Sequence, residues 1–208
     1  MTSTLRRRPA QRRSVERVER MLDECAALLE EVGYDALTTK EVARRAEVPI
    51  GTFYQFFPDK RGLVRALALR NLDAFLARVS ERIAVREPDH WTDFVDLAID
   101  EFVEMKRTTP GFAVVDFGEV LPTPGGPAVP GTNHMLDAAL ENNAVVADRL
   151  RVLLDAPPGT SVDRAVLVAV EATDAVLKLA FRAHPQGDPD LIAECKLLAR
   201  RYLAVHLR

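Results

Sequence analysis

Thr39, Ile50, Gly51, Thr52, Tyr54, Gln55 and Lys60 fall within one short stretch and carry between them two hydroxyls, a phenol, an amide and an ammonium. No nucleophile-and-base pair is among them. Such groups donate hydrogen bonds and positive charge, which suits the phosphates and base edges of a duplex. Thr39, Thr52, Tyr54 and Lys60 are expected at phosphate, with Ile50, Gly51 and Gln55 near base edges; the Gln55 amide has the donor and acceptor needed to grip adenine at two points. Elsewhere the chain has no Asp-rich metal motif, His-Glu-x-x-His, nucleophile elbow, Gly-rich phosphate loop or Cys-His constellation, so an all-helical enzyme is the weaker alternative. His90, His134, His184 and His206 are never at ligand spacing, and no metal or cofactor is expected.

Two short helices must hold those residues. Thr39 is expected to cap the first, in which Val42 and Ala46 share the buried face at i,i+4 spacing. Glu47, Val48 and Pro49 make the turn, and Pro49 or Ile50 begins the second helix, where a missing N–H is harmless. Phe53 and Phe57 point inward there, leaving Gly51, Thr52, Tyr54 and Gln55 outward. The pattern reads as a helix-turn-helix.

From about residue 14 to 65 the chain resembles the DNA-binding domain of the TetR family of bacterial regulators. The residues that carry the likeness are Gly33, Tyr34, Thr38, Thr39, Ala43, Ala46, Val48, Gly51, Thr52, Phe53, Tyr54, Phe57 and Lys60. The family usually has glycine where this chain has Glu47, and often a polar or basic residue where it has Ile50. The resemblance implies an all-α fold: an N-terminal three-helix helix-turn-helix domain joined to a C-terminal helical domain for ligand binding and dimerisation. It also implies a homodimer built through the last two helices, and repression as the commonest role.

Charge is divided in the same sense. Residues 1–70 hold 14 Lys and Arg against 10 Asp and Glu, a net +4, and the remainder stands at −7. A basic head on an acidic body fits a protein that meets phosphate at one end only. Arg6, Arg7, Arg8, Arg12 and Arg13 precede the first amphipathic pattern; they form either a solubilising tail or an arm that follows the backbone or enters the minor groove. The expected division is a basic arm over 1–13, the helix-turn-helix over 14–58 and the effector and dimerisation domain over 59–208.

Periodicity predicts helices from Ser14 to Val32, stopped by Gly33, and from Asp59 to Arg86 as a long connector. Further helices are expected over Thr92–Thr109, Asn133–Leu154, Val162–Ala183 and Asp190–Leu207, with a short element from Phe112 to Leu121. Residues 122–131 contain four prolines and three glycines and are read as a loop or flap. No convincing strand is found. No run approaches a membrane span and no secretory pattern opens the chain, so a cytoplasmic location is expected. Cys25 and Cys195 read as buried thiols.

Phe102, Met105, Phe112, Phe117, Met135, Leu177 and Phe181 offer deformable apolar walls, and His134, Asn142 and Asp174 polar orienters, for a mostly hydrophobic small-molecule effector of unknown identity. Asp174 sits in an apolar run and needs a partner: the ligand, an arginine across a dimer, or Lys178 one turn on. Val166, Val170, Val176, Leu191, Cys195, Leu198 and Tyr202 are assigned to the dimer face. The protein is therefore expected to bind double-stranded operator DNA and to be released by the effector; an effector-independent regulator or activator is the other reading.

Overall fold

The structure, a computed structural model, describes residues 12–117, 119–120, 134–135, 142–154 and 159–207. Its helices are α1 (Arg12–Ala36), α2 (Thr39–Arg45), α3 (Ile50–Phe56), α4 (Lys60–Arg86), α5 (Trp91–Thr108), α6 (Asn142–Leu153), α7 (Thr160–Ala183) and α8 (Pro189–Leu203). Two two-residue strands, β1 (Glu119–Val120) and β2 (His134–Met135), pair antiparallel. The all-α class holds, and none of the described helices is long and apolar enough to cross a membrane.

The chain forms two compact units. One contains residues up to Asn71 together with Thr109–Leu140; the other contains Leu72–Thr108 and Glu141–Arg208. The expected boundary at 58/59 precedes α4, whereas the units divide within it, and the first unit takes in a later segment of chain.

In the first unit α1 buries Val18, Met21, Leu22, Cys25, Ala26, Leu28 and Leu29, the stripe its 3.6-residue period supplies. Gly33, at φ 73° and ψ 176°, is non-helical and interrupts α1 where the sequence reading stops it; a short helical stretch follows to Ala36. Against this stripe lie Val42, Ala43, Ala46 and Val48 of the α2 region, Phe53, Phe56 and Phe57, then Leu63, Val64, Leu67 and Ala68 of α4, with Val114 and Val115 completing the cluster. Each fully buried large side chain contributes about 1.5–3 kcal/mol, so the three phenylalanines anchor α3 although it has only seven residues.

The second unit packs α7 on α8 and α6 on α7, with α5 against α8. Arg200 pairs with Asp96, and Lys196 with Asp100 at 2.5 Å, one turn apart on both α5 and α8. On the second half of α4, Phe75 meets Phe102 of α5 edge to face at 6.3 Å.

Several sequence expectations change. Thr38, not Thr39, caps α2, its hydroxyl accepting from the Glu41 N–H at 3.2 Å. Arg12 and Arg13 belong to the first turn of α1 rather than to an arm, and Arg12 pairs with Glu16 at 3.1 Å. Of the helix expected over Asn133–Leu154, Asn142–Leu153 is α6, whereas His134 and Met135 are paired with Val120 and Glu119. Phe112 lies within a run of turns, and α8 ends at Leu203, with the N–H groups of Val205, His206 and Leu207 bonded back to Tyr202 and Leu203. The 122–131 loop, and Arg6, Arg7 and Arg8, lie outside the described residues.

Glu47 sits in the α2–α3 turn at φ 54°. A left-handed L-residue costs about 1–2 kcal/mol, while glycine surrenders about 0.4–1 kcal/mol more backbone freedom on folding. Glu47→Gly is therefore expected to stabilise the protein by about 0.5–1 kcal/mol, read as a higher urea midpoint. An unchanged or lower midpoint would show that the turn bears no strain at Glu47.

Candidate nucleic-acid interface

The turn holds α2 and α3 in fixed register: the Val48 N–H donates to Ala43 O at 3.0 Å and the Glu47 N–H to Arg44 O at 3.3 Å. Phe53 stacks on Phe57 with ring centres 5.5 Å apart and meets Tyr54 edge-on at 5.3 Å. With Phe53 locked inward, the opposite side of α3 presents Ile50 and Tyr54, each 43% exposed, along with Gly51 and Gln55. Thr52 is half-buried. A Cβ built on Gly51 would meet nothing within 4 Å, so its neighbourhood is open to a close-approaching surface.

Thr39 Oγ1 lies 3.2 Å from the Tyr54 hydroxyl, which joins two expected phosphate-contacting residues from different helices into one polar pair. Lys60, expected at phosphate, is half-buried: its Nζ donates to Tyr34 O at 2.9 Å and Asp35 O at 3.3 Å, and stands 4.4 Å from the centre of the Tyr34 ring. Asp59 Oδ1 accepts from the Gly62 N–H at 2.7 Å and so caps α4.

An ion-pair network that sequence reasoning missed ties α2 to α1. Arg45 makes two parallel 2.6 Å bonds to Glu31 and a 3.2 Å bond to Glu41, and Arg44 reaches Glu41 at 2.6 and 2.9 Å. The i,i+4 spacing of Glu41 and Arg45 was readable; the pairing with Glu31 across fourteen residues was not. The Arg44 hydrogen bond, aided by that from Arg45, holds the Glu41 carboxyl down at about 2, and Arg45 likewise lowers Glu31. For a carboxylate held low in the folded state, the stabilisation is present above its unfolded range and is lost as pH falls toward about 2, so the network is intact at neutral pH.

The proposed effector residues are divided between the units. Phe112 and Phe117 meet edge to face at 5.4 Å in the first unit, where His134 and Met135 form β2. In the second unit Phe102, Met105, Leu177 and Phe181 are buried and Asn142 opens α6. Asp174 has its partner in Lys178, at 2.7 Å on the same helix.

Of the proposed dimer residues, Val166 and Cys195 are inside their own subunit and are corrected on that ground. Cys195 has no exposed surface, and burial pushes its thiol up to about 11. Cys25, also free and buried, is pushed up to about 12 for the same reason. Val170, Val176, Leu191 and Tyr202 are half-buried and Leu198 is exposed. The outward apolar residues that sequence reasoning missed are Val168 and Leu179 on α7, Leu197 on α8, and Val205 just beyond it. Helical periodicity gave two apolar faces on these helices but not which one the subunit itself consumes.

The family profile described as "Tetracyclin repressor-like, C-terminal domain" matches residues 89–207, and that described as "Bacterial regulatory proteins, tetR family" matches 21–67. A TetR-family transcriptional regulator from Streptomyces coelicolor, known from its crystal structure, is similar with 41% identity and a TM-score of 0.77, over 94% of this chain and 99% of its own. RolR, solved with its ligand resorcinol, is similar in fold at 16% identity and a TM-score of 0.56, over 94% of this chain and 97% of its own. The transcriptional repressor KstR of Rhodococcus jostii is 42% identical over 71 residues, 34% of this chain and 30% of KstR. The chain spans less than a third of the length of the first curated relatives it matches. The profile match over more than half the chain, the full-length likeness to the Streptomyces regulator and the helix-turn-helix geometry agree, and the chain belongs to the TetR family of DNA-binding transcriptional regulators, which are not enzymes.

Proposed function

We propose that the protein is a cytoplasmic repressor that binds an inverted-repeat operator as a homodimer and is released by a mostly hydrophobic small molecule. The observation that carries the DNA-binding part is the outward face of α3, where Ile50, Gly51, Tyr54 and Gln55 are exposed and Tyr54 meets the Thr39 hydroxyl, while three phenylalanines fix the helix from behind. Ile50 offers apolar contact to a thymine methyl, Gln55 a two-point bond to adenine, and Thr39, Thr52 and Tyr54 contacts to phosphate; Arg12 and Arg13, exposed on the first turn of α1, add charge. KstR, similar over 71 residues, is a repressor, and RolR, of the same fold, takes the ligand resorcinol. Both support the reading without identifying this protein's operator or effector.

The exposed apolar residues of α7, α8 and the turn after α8 support a second copy as partner, in which two helices from each subunit make a four-helix contact. Such a dimer sets its two reading heads about 34–36 Å apart, one turn of duplex, and reads a palindrome. Effector and DNA prefer different conformers of the dimer, so a saturating effector weakens operator binding by its differential affinity, typically about 1–3 kcal/mol.

Selection of bound duplexes from a random pool, followed by titration with candidate apolar compounds, tests this function. An inverted repeat whose affinity drops with a compound that also raises the melting temperature supports the ligand-released repressor; operator binding indifferent to every bound compound favours the effector-independent regulator. On the selected operator, Gln55→Ala is expected to lose about 1–3 kcal/mol of discrimination at one adenine per half-site. Retention of both affinity and preference would remove Gln55 from base readout.

A further inference from the structure

Glu101 lies on the face of α5 that the second unit buries: Leu97 and Ala98, one turn before it, and Met105, one turn after, share its side of the helix and are all buried. An apolar side chain is what that stripe calls for. A carboxylate there loses its hydration, and arginine partners recover the loss only where hydrogen bonds also satisfy the oxygens. The charge is met: Arg78 and Arg82, one turn apart on α4, bring their Nε atoms to 2.9 and 2.5 Å from the two oxygens. The hydrogen bonds are not, because among the described residues neither buried oxygen has a partner in hydrogen-bonding alignment. The acid is 1% exposed and the arginines about two-fifths exposed, so two flexible side chains run from solvent to the carboxylate. An apolar wall adjoins it, since Phe75, one turn before Arg78, meets Phe102, the residue after Glu101, edge to face at 6.3 Å.

What this carboxylate lacks is a donor rather than a charge. An ammonium would bring a third cation against the two guanidiniums, and a ligand carboxylate a second anion against Glu101; a hydroxyl donates its hydrogen at neither cost. We propose, resting on the reading that a small molecule releases this protein, that Glu101 is the specificity-determining residue of the effector site and accepts a hydrogen bond from the hydroxyl of an uncharged, mostly apolar alcohol or phenol. The hydroxyl oxygen keeps its lone pairs for the guanidinium N–H groups of Arg78 or Arg82, and Phe75 and Phe102 flank the hydrocarbon part. The effector is thereby sorted by its head group as well as by its apolar bulk.

Calorimetric titration of the full-length protein with 4-alkylphenols of increasing chain length, their methyl ethers, and the matching 4-alkylbenzylamines and 4-alkylbenzoates tests this. A hydrogen bond to a charged acceptor corresponds to about 10- to 100-fold in affinity, so at the best-fitting chain length the phenol is expected to bind tighter than its ether by that factor, and tighter than the amine or the benzoate. Glu101→Met is expected to abolish the difference between phenol and ether while still binding the ether, which shows that the variant is folded. Glu101→Gln, with an acceptor of the same shape but no charge, is expected to keep only part of the preference. Equal affinity of the wild type for phenol and ether, tighter binding of the amine or benzoate, a full preference that survives both substitutions, or no binding by any member of the series overturns the proposal. A phenol that binds through Glu101 yet leaves operator affinity unchanged would instead strike at release by an effector, with the hydroxyl site left standing.

Discussion

Gly111→Ala is expected to cost about 2–5 kcal/mol, enough to remove much of the stability of an ordinary domain. Gly111 stands at φ 74°, and a Cβ there would come within 2.9 Å of the Ala26 Cα and 3.1 Å of the Ala26 carbonyl oxygen. These are backbone atoms of α1, which retreat only if the helix moves. The left-handed conformation contributes about 1–2 kcal/mol of the cost and overpacking about 1–3 kcal/mol. The turn cannot easily lift away, because the Gly111 N–H donates to Glu30 Oε1 at 2.9 Å and the buried Asn71 amide donates to Val115 O at 3.0 Å. Phe112, Val114 and Val115 would leave the interior with it. Urea unfolding measures the loss, and operator affinity at a temperature near the new midpoint should fall in step. A midpoint equal to that of the wild type would mean that the turn is not pinned to α1.

The second large effect belongs to the other unit. Glu101 has a side chain 1% exposed, while its partners Arg78 and Arg82 are each about two-fifths exposed, with Nε atoms at 2.9 and 2.5 Å from its two oxygens. Neither oxygen accepts a well-aligned hydrogen bond, so the carboxylate depends on the charge of the arginines. Replacing both arginines with methionine strands a buried charge, at an expected cost of about 3–5 kcal/mol. Adding Glu101→Met should recover most of that loss, since a buried ion pair replaced by apolar side chains is often neutral or stabilising. The comparison of double and triple variants by thermal unfolding is decisive because the residues share one contact and their effects do not add. Equal stability of the two would show that the carboxylate does not need its cations.

The long helices were legible because burial imposes a period: the stripe Val18, Leu22, Cys25, Ala26 and Leu29 on α1 is the buried set, and the bounds of α4 match the apolar run after Asp59. The reading motif was legible because a two-helix unit this small needs a particular aromatic and small-residue arrangement to close. What escaped depends on partners distant in sequence. A two-residue strand such as His134–Met135 has no period to read and exists only through Glu119–Val120. Thr38 and Thr39 have the same hydroxyl, and only backbone geometry decides which one caps. Lys60 looks like any exposed basic residue until the end of α1, twenty-five residues earlier, is brought to it. Glu101 sits in an ordinary acidic surface pattern on α5, and nothing local shows that two arginines on α4 accompany it inside. The dimer face was misplaced at Val166 and Cys195 because apolar periodicity does not say whether a stripe meets its own subunit or another.

The first unit is discontinuous, since its core takes Val114 and Val115 from beyond α5. During synthesis from the N-terminus, the ribosome therefore releases α2 and α3 well before the chain that completes their foundation has been made. Until Val115 emerges, the nascent head lacks part of its interior, and by then the whole of α5 has also been translated. A chain that stopped within α4 or α5 would lack Val114 and Val115 from the interior on which α2 and α3 rest.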